Sequence, residues 1–114
     1  MESIKLIISK DFTTAPGPRY IEEGEMSGEF FRDEYLYPAY LKALEANVKL
    51  VVDLDNTAGY ATSFLEESFG GLIRIKHVQY LDLINRLEII SNEEDYLKDD
   101  ILDYIKDAEE NKTA

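Results

Sequence analysis

The sequence predicts a small α/β domain in which helices pack against a mixed β-sheet. Three observations carry that reading. Short apolar or alternating runs recur at residues 4–8, 48–54 and 87–90, each the length of a strand and too short for a helix. Between them, apolar residues recur at three- and four-residue spacing, the helical period. The connections are short, so the 114 residues read as one layered domain over 1–114, with the last few residues expected to fray.

Ile4, Leu6 and Ile8 alternate with Lys5 and Ile7, giving a half-buried first strand. From Asp11 to Gly24 the string Ala-Pro-Gly-Pro-Arg-Tyr forbids helix, because its prolines lack amide protons and its glycine permits a turn. A short edge strand is expected at 19–21. Ser27 is placed to cap a helix from Gly28, with Phe30, Phe31 and Leu36 as its apolar side. Pro38 predicts a break near Tyr37, then further turns over 38–46 with Leu41 and Leu44 facing inward.

Val48, Leu50, Val52 and Leu54 share one face of the best strand in the chain, and 55–59 is a polar turn. Leu65, Phe69, Leu72 and Ile73 then mark a helical stripe, opened by a capping box of Ser63 with Glu66. Gly70 and Gly71 each weaken a helix by about 1 kcal/mol, so they are expected where helix and strand backbones approach closely. A short helix through Tyr80, Leu81 and Ile84 leads to a strand at 87–90. Ser91 with Glu94 forms a second capping box, opening a last helix with three acids in its first turn and the stripe Leu97, Ile101, Ile105, Ala108.

The net charge of −12 argues against nucleic-acid or anionic-membrane binding, which needs clustered Lys and Arg. That charge is concentrated. Residues 22–34 hold six acids against Arg32, residues 93–110 hold nine against Lys98 and Lys106, and the other 83 residues are balanced. Two solvated faces explain this most simply, and a docking surface for a basic partner is the alternative. The absence of cysteine excludes disulfides, thiol catalysis and thiolate metal sites. No apolar run approaches roughly 18 residues, and the start lacks a basic region followed by an apolar one. A cytoplasmic protein without metal or cofactor is expected.

The most enzyme-like string is Asp53-Leu54-Asp55-Asn56-Thr57 at the end of an apolar strand. It resembles the first motif of haloacid-dehalogenase-type phosphatases, in which the first aspartate is the nucleophile, the second a general acid, and magnesium lies between. That chemistry also needs a neighbouring lysine and a later acidic pair on a strand end, whereas Asp99-Asp100 falls in the last helix. The competing reading gives Asp53 and Asp55 hydrogen bonds to their own turn. His77 stands alone, and Gly70-Gly71 has no following Lys-Ser or Lys-Thr to make a phosphate loop. Thr62 and Ser63 set two hydroxyls at a helix start, either as caps or as phospho-acceptors.

The strand Val51-Val52-Asp53-Leu54, the loop after it and Ala61-Thr62-Ser63-Phe64-Leu65 resemble the central signature of STAS domains. Aligned on the leucine, Thr62 takes the place of that family's phosphorylated serine, while Ala61 stands for its aspartate and Phe64 for its glycine. A closer resemblance is to the STAS-like family of unknown function DUF4325. It runs through Pro16-Gly17-Pro18-Arg19-Tyr20, Ser27-Gly28-Glu29-Phe30-Phe31-Arg32, the string from Gly59 to Arg74, and Leu87-Glu88-Ile89-Ile90-Ser91. The resemblance implies a STAS-like α/β sandwich in a prokaryotic or phage setting, often encoded with or fused to histidine-kinase-like ATPases.

The leading expectation is therefore a non-enzymatic interaction module, similar to anti-sigma-factor antagonists, that docks on such an ATPase and is switched by phosphorylation at Thr62 or Ser63. Its partner-facing residues are expected to be Asp55, Asn56, Gly59, Tyr60, Phe64, Glu66, Arg19 and Arg32. Arg19 and Arg32 are expected to pair with Asp55 or Glu66. The alternative is a phosphatase-like or small-ligand-binding domain using Asp53 and Asp55.

Overall fold

A computed structural model describes residues 2–112. Three strands, β1 (Ser3–Ile7), β2 (Lys49–Asp53) and β3 (Leu87–Ile90), form one sheet in the order β1-β2-β3. Every pairing is parallel, with Ser3 opposite Lys49 and Leu50 opposite Leu87. The α/β architecture is as predicted. The sheet is parallel where a mixed one was expected, because each strand-to-strand connection carries helices and returns the chain to the same end. No edge strand forms at 19–21; the backbone of 17–19 bonds to 26–29, and Ile21–Glu23 is a single 3₁₀ turn.

After β1 a π-helical turn, Ile8–Phe12, leads into the proline loop. Helix α1 (Gly28–Phe31) begins at Ser27, whose Oγ accepts the amide of Phe30 at 3.0 Å. No break follows at Tyr37. The chain passes through a π-helical turn, Arg32–Leu36, directly into α2 (Tyr37–Ala46). The wider turn bonds the Tyr37 amide back to the Arg32 carbonyl and gives the Pro38 ring room in a helix that an α turn would have made it clash with. This rotates the inward face of α2: Tyr40 and Ala43 are buried, while Leu41 and Leu44, expected inside, are 43% and 42% exposed. Asn47 closes the helix at φ 53°, a left-handed cap.

β2 is central and buried, with Leu50 and Val52 in the main core and Val51 buried outside that cluster. A second continuous helical run follows, made of α3 (Thr62–Leu65), a π-helical turn Glu66–Gly70 and α4 (Gly71–Arg74). Leu65, Phe69, Leu72 and Ile73 are buried as predicted, but the opposite side is buried too, at Glu67, Ser68, Gly70 and Gly71. Helix α5 (Tyr80–Arg86) buries Leu83 and leaves Leu81 exposed.

The last helix, α6 (Leu97–Asn111), buries Leu97, Ile101, Ile105 and Ala108 as predicted, and packs on the 62–74 run. It starts later than expected. Ser91 is not its cap: Ser91 Oγ donates to the Glu94 carbonyl at 2.7 Å inside a preceding turn, and Asp99 and Asp100 are the acids of the first helical turn. The expected fraying concerns the chain end, and residues 113–114 lie outside the described residues. Among the described residues, no helix is long and apolar enough to cross a membrane.

Candidate functional site

The proline loop, α1 and the 62–74 run meet in one cluster. Backbone bonds from Gly17 N to Met26 O (2.9 Å), Gly28 N to Pro18 O (2.8 Å) and Glu29 N to Arg19 O (2.9 Å) lace the loop onto the start of α1. A Cβ on Gly17 would lie 2.2 Å from the Glu25 carbonyl, so only glycine fits that lacing. The lacing aims Arg19 at the second helical run. Arg19 Nη1 lies 2.5 Å from Glu66 Oε1 and 3.1 Å from Glu67 Oε1.

Arg32, on the π turn after α1, meets the Glu67 carboxylate from the interior. Its Nη1 donates to Glu67 Oε2 at 2.6 Å and its Nε to Asp33 Oδ1 at 2.9 Å. Arg32 and Glu67 are 3% and 4% exposed. Arg74 completes the cluster, 2.9 Å from Glu66 Oε2 and 3.3 Å from Glu67 Oε1. Burial, the largest single influence on Glu66, pushes its pKa up, but hydrogen bonds and charge from Arg74 and Arg19 outweigh it and hold the carboxyl below its usual range. The hydrogen bond to Glu66 raises Arg19 and Arg74 in turn.

The glycines make this packing possible. A Cβ on Gly28 would sit 2.5 Å from the Phe64 carbonyl, one on Gly71 2.6 Å from Arg32 Nη1, and one on Gly70 2.6 Å from Glu66 Oε2. Gly70 and Gly71 therefore make room for ion-paired side chains, where a strand backbone was expected. Ser68 Oγ, 2.7 Å from the Phe64 carbonyl and 3.2 Å from the Gly28 carbonyl, ties the two helical runs together.

At the carboxyl end of β2, the two aspartates have separate duties. Asp53 Oδ1 accepts the Asp55 amide at 2.9 Å. Asp55 Oδ1 accepts the amides of Asn92 and Glu93 at 2.8 and 3.0 Å, and its Oδ2 the side-chain amide of Asn92 at 3.0 Å. Asp55 thus fastens the 54–61 loop to the turn before α6. The Ala58 amide bonds to Thr14 O at 2.8 Å, and the Tyr60 hydroxyl donates to Leu54 O at 2.8 Å. Burial, with smaller contributions from Asp53, Asp55 and Glu93, pushes the Tyr60 hydroxyl up to about 12. Gly59, at φ 123° with open space around it, is needed for its conformation alone.

The anchored loop presents Asn56, Ala58, Ala61 and Thr62 to solvent, with Ser63 half-buried. Ser63 is not a cap. The helical run starts at Thr62 with Ala61 as its N-cap residue and no side-chain cap bond, so the predicted Ser63–Glu66 box is absent; Glu66 instead faces Arg19 and Arg74. Of the residues expected to face a partner, Phe64 and Arg32 are buried and belong to the scaffold. Arg19 pairs with Glu66 as expected, while Arg32 takes Glu67, which sequence reasoning passed over along with Arg74 and Ser68. The available signal was the row of small residues Ser68, Gly70 and Gly71 opposite the apolar stripe, marking a second packed face. Among the described residues, no three His, Cys, Asp or Glu side chains gather as a metal set.

Three of the strings quoted for the family resemblance, 16–20, 27–32 and 59–74, thus meet in one cluster, and the fourth, 87–91, is β3 and the residue after it. A family model described as a STAS-like domain of unknown function, DUF4325, matches residues 27–97. The chain belongs to this family. No curated protein and no solved structure matches it. Within this STAS-like domain, the matched segment runs from the cap of α1 to the first residue of α6, and so includes Arg32, Glu67, Arg74 and the whole 54–63 loop.

Proposed function

We propose that this STAS-like domain is a non-enzymatic regulatory module that docks on a histidine-kinase-like ATPase through the ridge of Asn56, Ala58, Ala61 and Thr62. Phosphorylation of Thr62 is its switch. The observation that carries the reading is the exposure of Thr62 at the end of a loop pinned on two sides, by Asp55 to residues 92–93 and by Ala58 to Thr14. A partner reaches that hydroxyl without unfolding anything. In the transfer, Thr62 Oγ1 bonds to the γ-phosphorus of ATP, ADP leaves, and the hydroxyl proton passes to a base on the partner. The added charge of about −1.5 to −2 acts by local repulsion, since distant charges are screened.

The test incubates the chain with MgATP and a histidine-kinase-like ATPase encoded beside it. Phosphate on Thr62 by mass spectrometry, and weaker binding of Thr62→Glu than of Ser63→Glu, are expected. Absence of phosphate on both residues, with Thr62→Glu binding like the parent, overturns the switch. The phosphatase alternative has less support, because the Asp53 and Asp55 oxygens described above bond to the turn and to the facing loop. Magnesium-dependent aryl-phosphate hydrolysis abolished by Asp53→Asn would reverse that preference.

A further inference from the structure

Residues 20–31 contain Glu22, Glu23, Glu25 and Glu29 and no lysine or arginine. The flanking bases do not compensate them. Arg19 is turned onto Glu66 and Glu67, and Arg32 is buried against Glu67 and Asp33. Among the described residues, none of the four glutamates forms an ion pair, although Glu23 and Glu29 accept the amides of Tyr20 and Ile21. Their negative field is left open to solvent.

Inside that field stand large apolar side chains. Ile21 is 52% exposed, Met26 40% and Phe30 37%. These three line an open cleft of about 480 Å³ whose other walls include Glu22, Glu23 and Glu25. A second cleft of about 420 Å³ shares Ile21 and Glu22 with it and adds Tyr20 and Glu29. The floor is firmly held, by the Gly17–Met26 backbone bond and by the Phe30 ring 6.1 Å from that of Phe12. A contiguous apolar surface rimmed by one sign of charge gains by covering the first and neutralising the second.

We propose that this cleft docks a cationic amphipathic peptide segment of a partner protein. One large apolar side chain of that segment sits among Ile21, Met26 and Phe30, and its flanking Lys or Arg residues lie over Glu22, Glu23 and Glu25. Charge decides the occupant. A second copy of this chain would bring its own acid-rimmed cleft and a net −12, and anionic lipid would be repelled. The site uses none of the residues of the Thr62 ridge, so it stands or falls independently of the phosphorylation switch.

The test pans a random dodecapeptide phage library against the intact protein and measures synthetic copies of the selected peptides by fluorescence anisotropy. Enrichment of sequences with Lys or Arg around an aromatic or Leu residue is expected. The double variants Glu22→Lys/Glu25→Lys and Ile21→Ser/Phe30→Ser should each weaken those peptides by about tenfold or more. The control Asp103→Lys/Glu110→Lys, on exposed positions of α6, should leave affinity within about twofold, as should Thr62→Glu. Circular dichroism of each variant checks the fold, and Glu22→Gln/Glu25→Gln replaces any charge reversal that fails to fold. Three results overturn the proposal: no cationic-apolar enrichment, an equal loss from the α6 control, or undiminished binding to Ile21→Ser/Phe30→Ser.

Discussion

Two serines that look alike in sequence carry different loads. Ser27 satisfies the Phe30 amide, whereas Ser63 makes no cap bond. Ser27→Ala should cost about 1 kcal/mol and Ser63→Ala less than about 0.5 kcal/mol in urea unfolding; the reverse order would restore the capping box. The Arg32–Glu67 pair belongs to this scale as well. Glu67→Ala takes the carboxylate from Nη1 of a buried guanidinium and leaves it Asp33 alone, which should cost about 3 kcal/mol. Arg32→Met added to it should recover part of that loss, and a double variant less stable than Glu67→Ala would show that the Asp33 pair alone repays the burial of Arg32. Tyr60 gives a pH signature. Its folded pKa lies above the unfolded value, so its contribution is complete below pH 10 and is lost as pH rises from 10.0 through about 12. Tyr60→Phe should flatten part of the alkaline loss of stability in a titration of thermal midpoints. Sequence alone exposed the two arginines as needing acids. It did not expose Glu67, because a glutamate in a run of charged and small residues looks solvated until a second helix covers it.

At the scale of elements, the strands were legible and the helix faces less so. β2 and β3 announce themselves by apolar runs, and α6 by an uninterrupted stripe from Leu97 to Ala108. The two central helical runs each contain a π turn, which adds a residue to the turn and rotates everything after it. Leu41 and Leu44 were placed inside by a regular period counted from a break at Pro38. With the helix continuous and widened before the proline, Tyr40 and Ala43 take those positions. The crossing of the runs makes a prediction. A Cβ on Gly28 would meet a backbone carbonyl at 2.5 Å, while one on Gly71 would meet the end of a side chain at 2.6 Å. A guanidinium can shift by tenths of an ångström and a helix carbonyl cannot do so alone, so Gly28→Ala should lower the unfolding midpoint more than Gly71→Ala. Gly71→Ala should also loosen the Arg32–Glu67 pair, visible as a smaller added penalty when Glu67→Ala is combined with it.

Across the whole molecule, the arginine cluster runs from the buried Arg32–Glu67 pair out to the surface at Arg74, and the rest of the exterior is acidic. The arginines at 19, 32 and 74 are turned onto Glu66, Glu67 and Asp33, leaving the 22–34 and 93–110 segments as the unbalanced charge that sums to −12. The molecule measures 38 × 30 × 25 Å. At about 10 mM salt the screening length of about 30 Å is comparable to these dimensions, and at about 100 mM it is near 10 Å. The acidic segments therefore repel one another at low salt and cease to at moderate salt, while the buried Arg32–Glu67 pair is shielded from added ions. Exposed pairs such as Lys112 with Glu109, worth about 0 to 1 kcal/mol, are too weak to reverse the sign. The thermal midpoint should rise between about 10 and 100 mM NaCl and change little beyond. Glu110→Lys, which replaces a negative charge of α6 by a positive one, should raise the midpoint at low salt and have a smaller effect at high salt. A midpoint that falls as salt is added would mean that the attractive pairs outweigh the repulsion of the acidic faces.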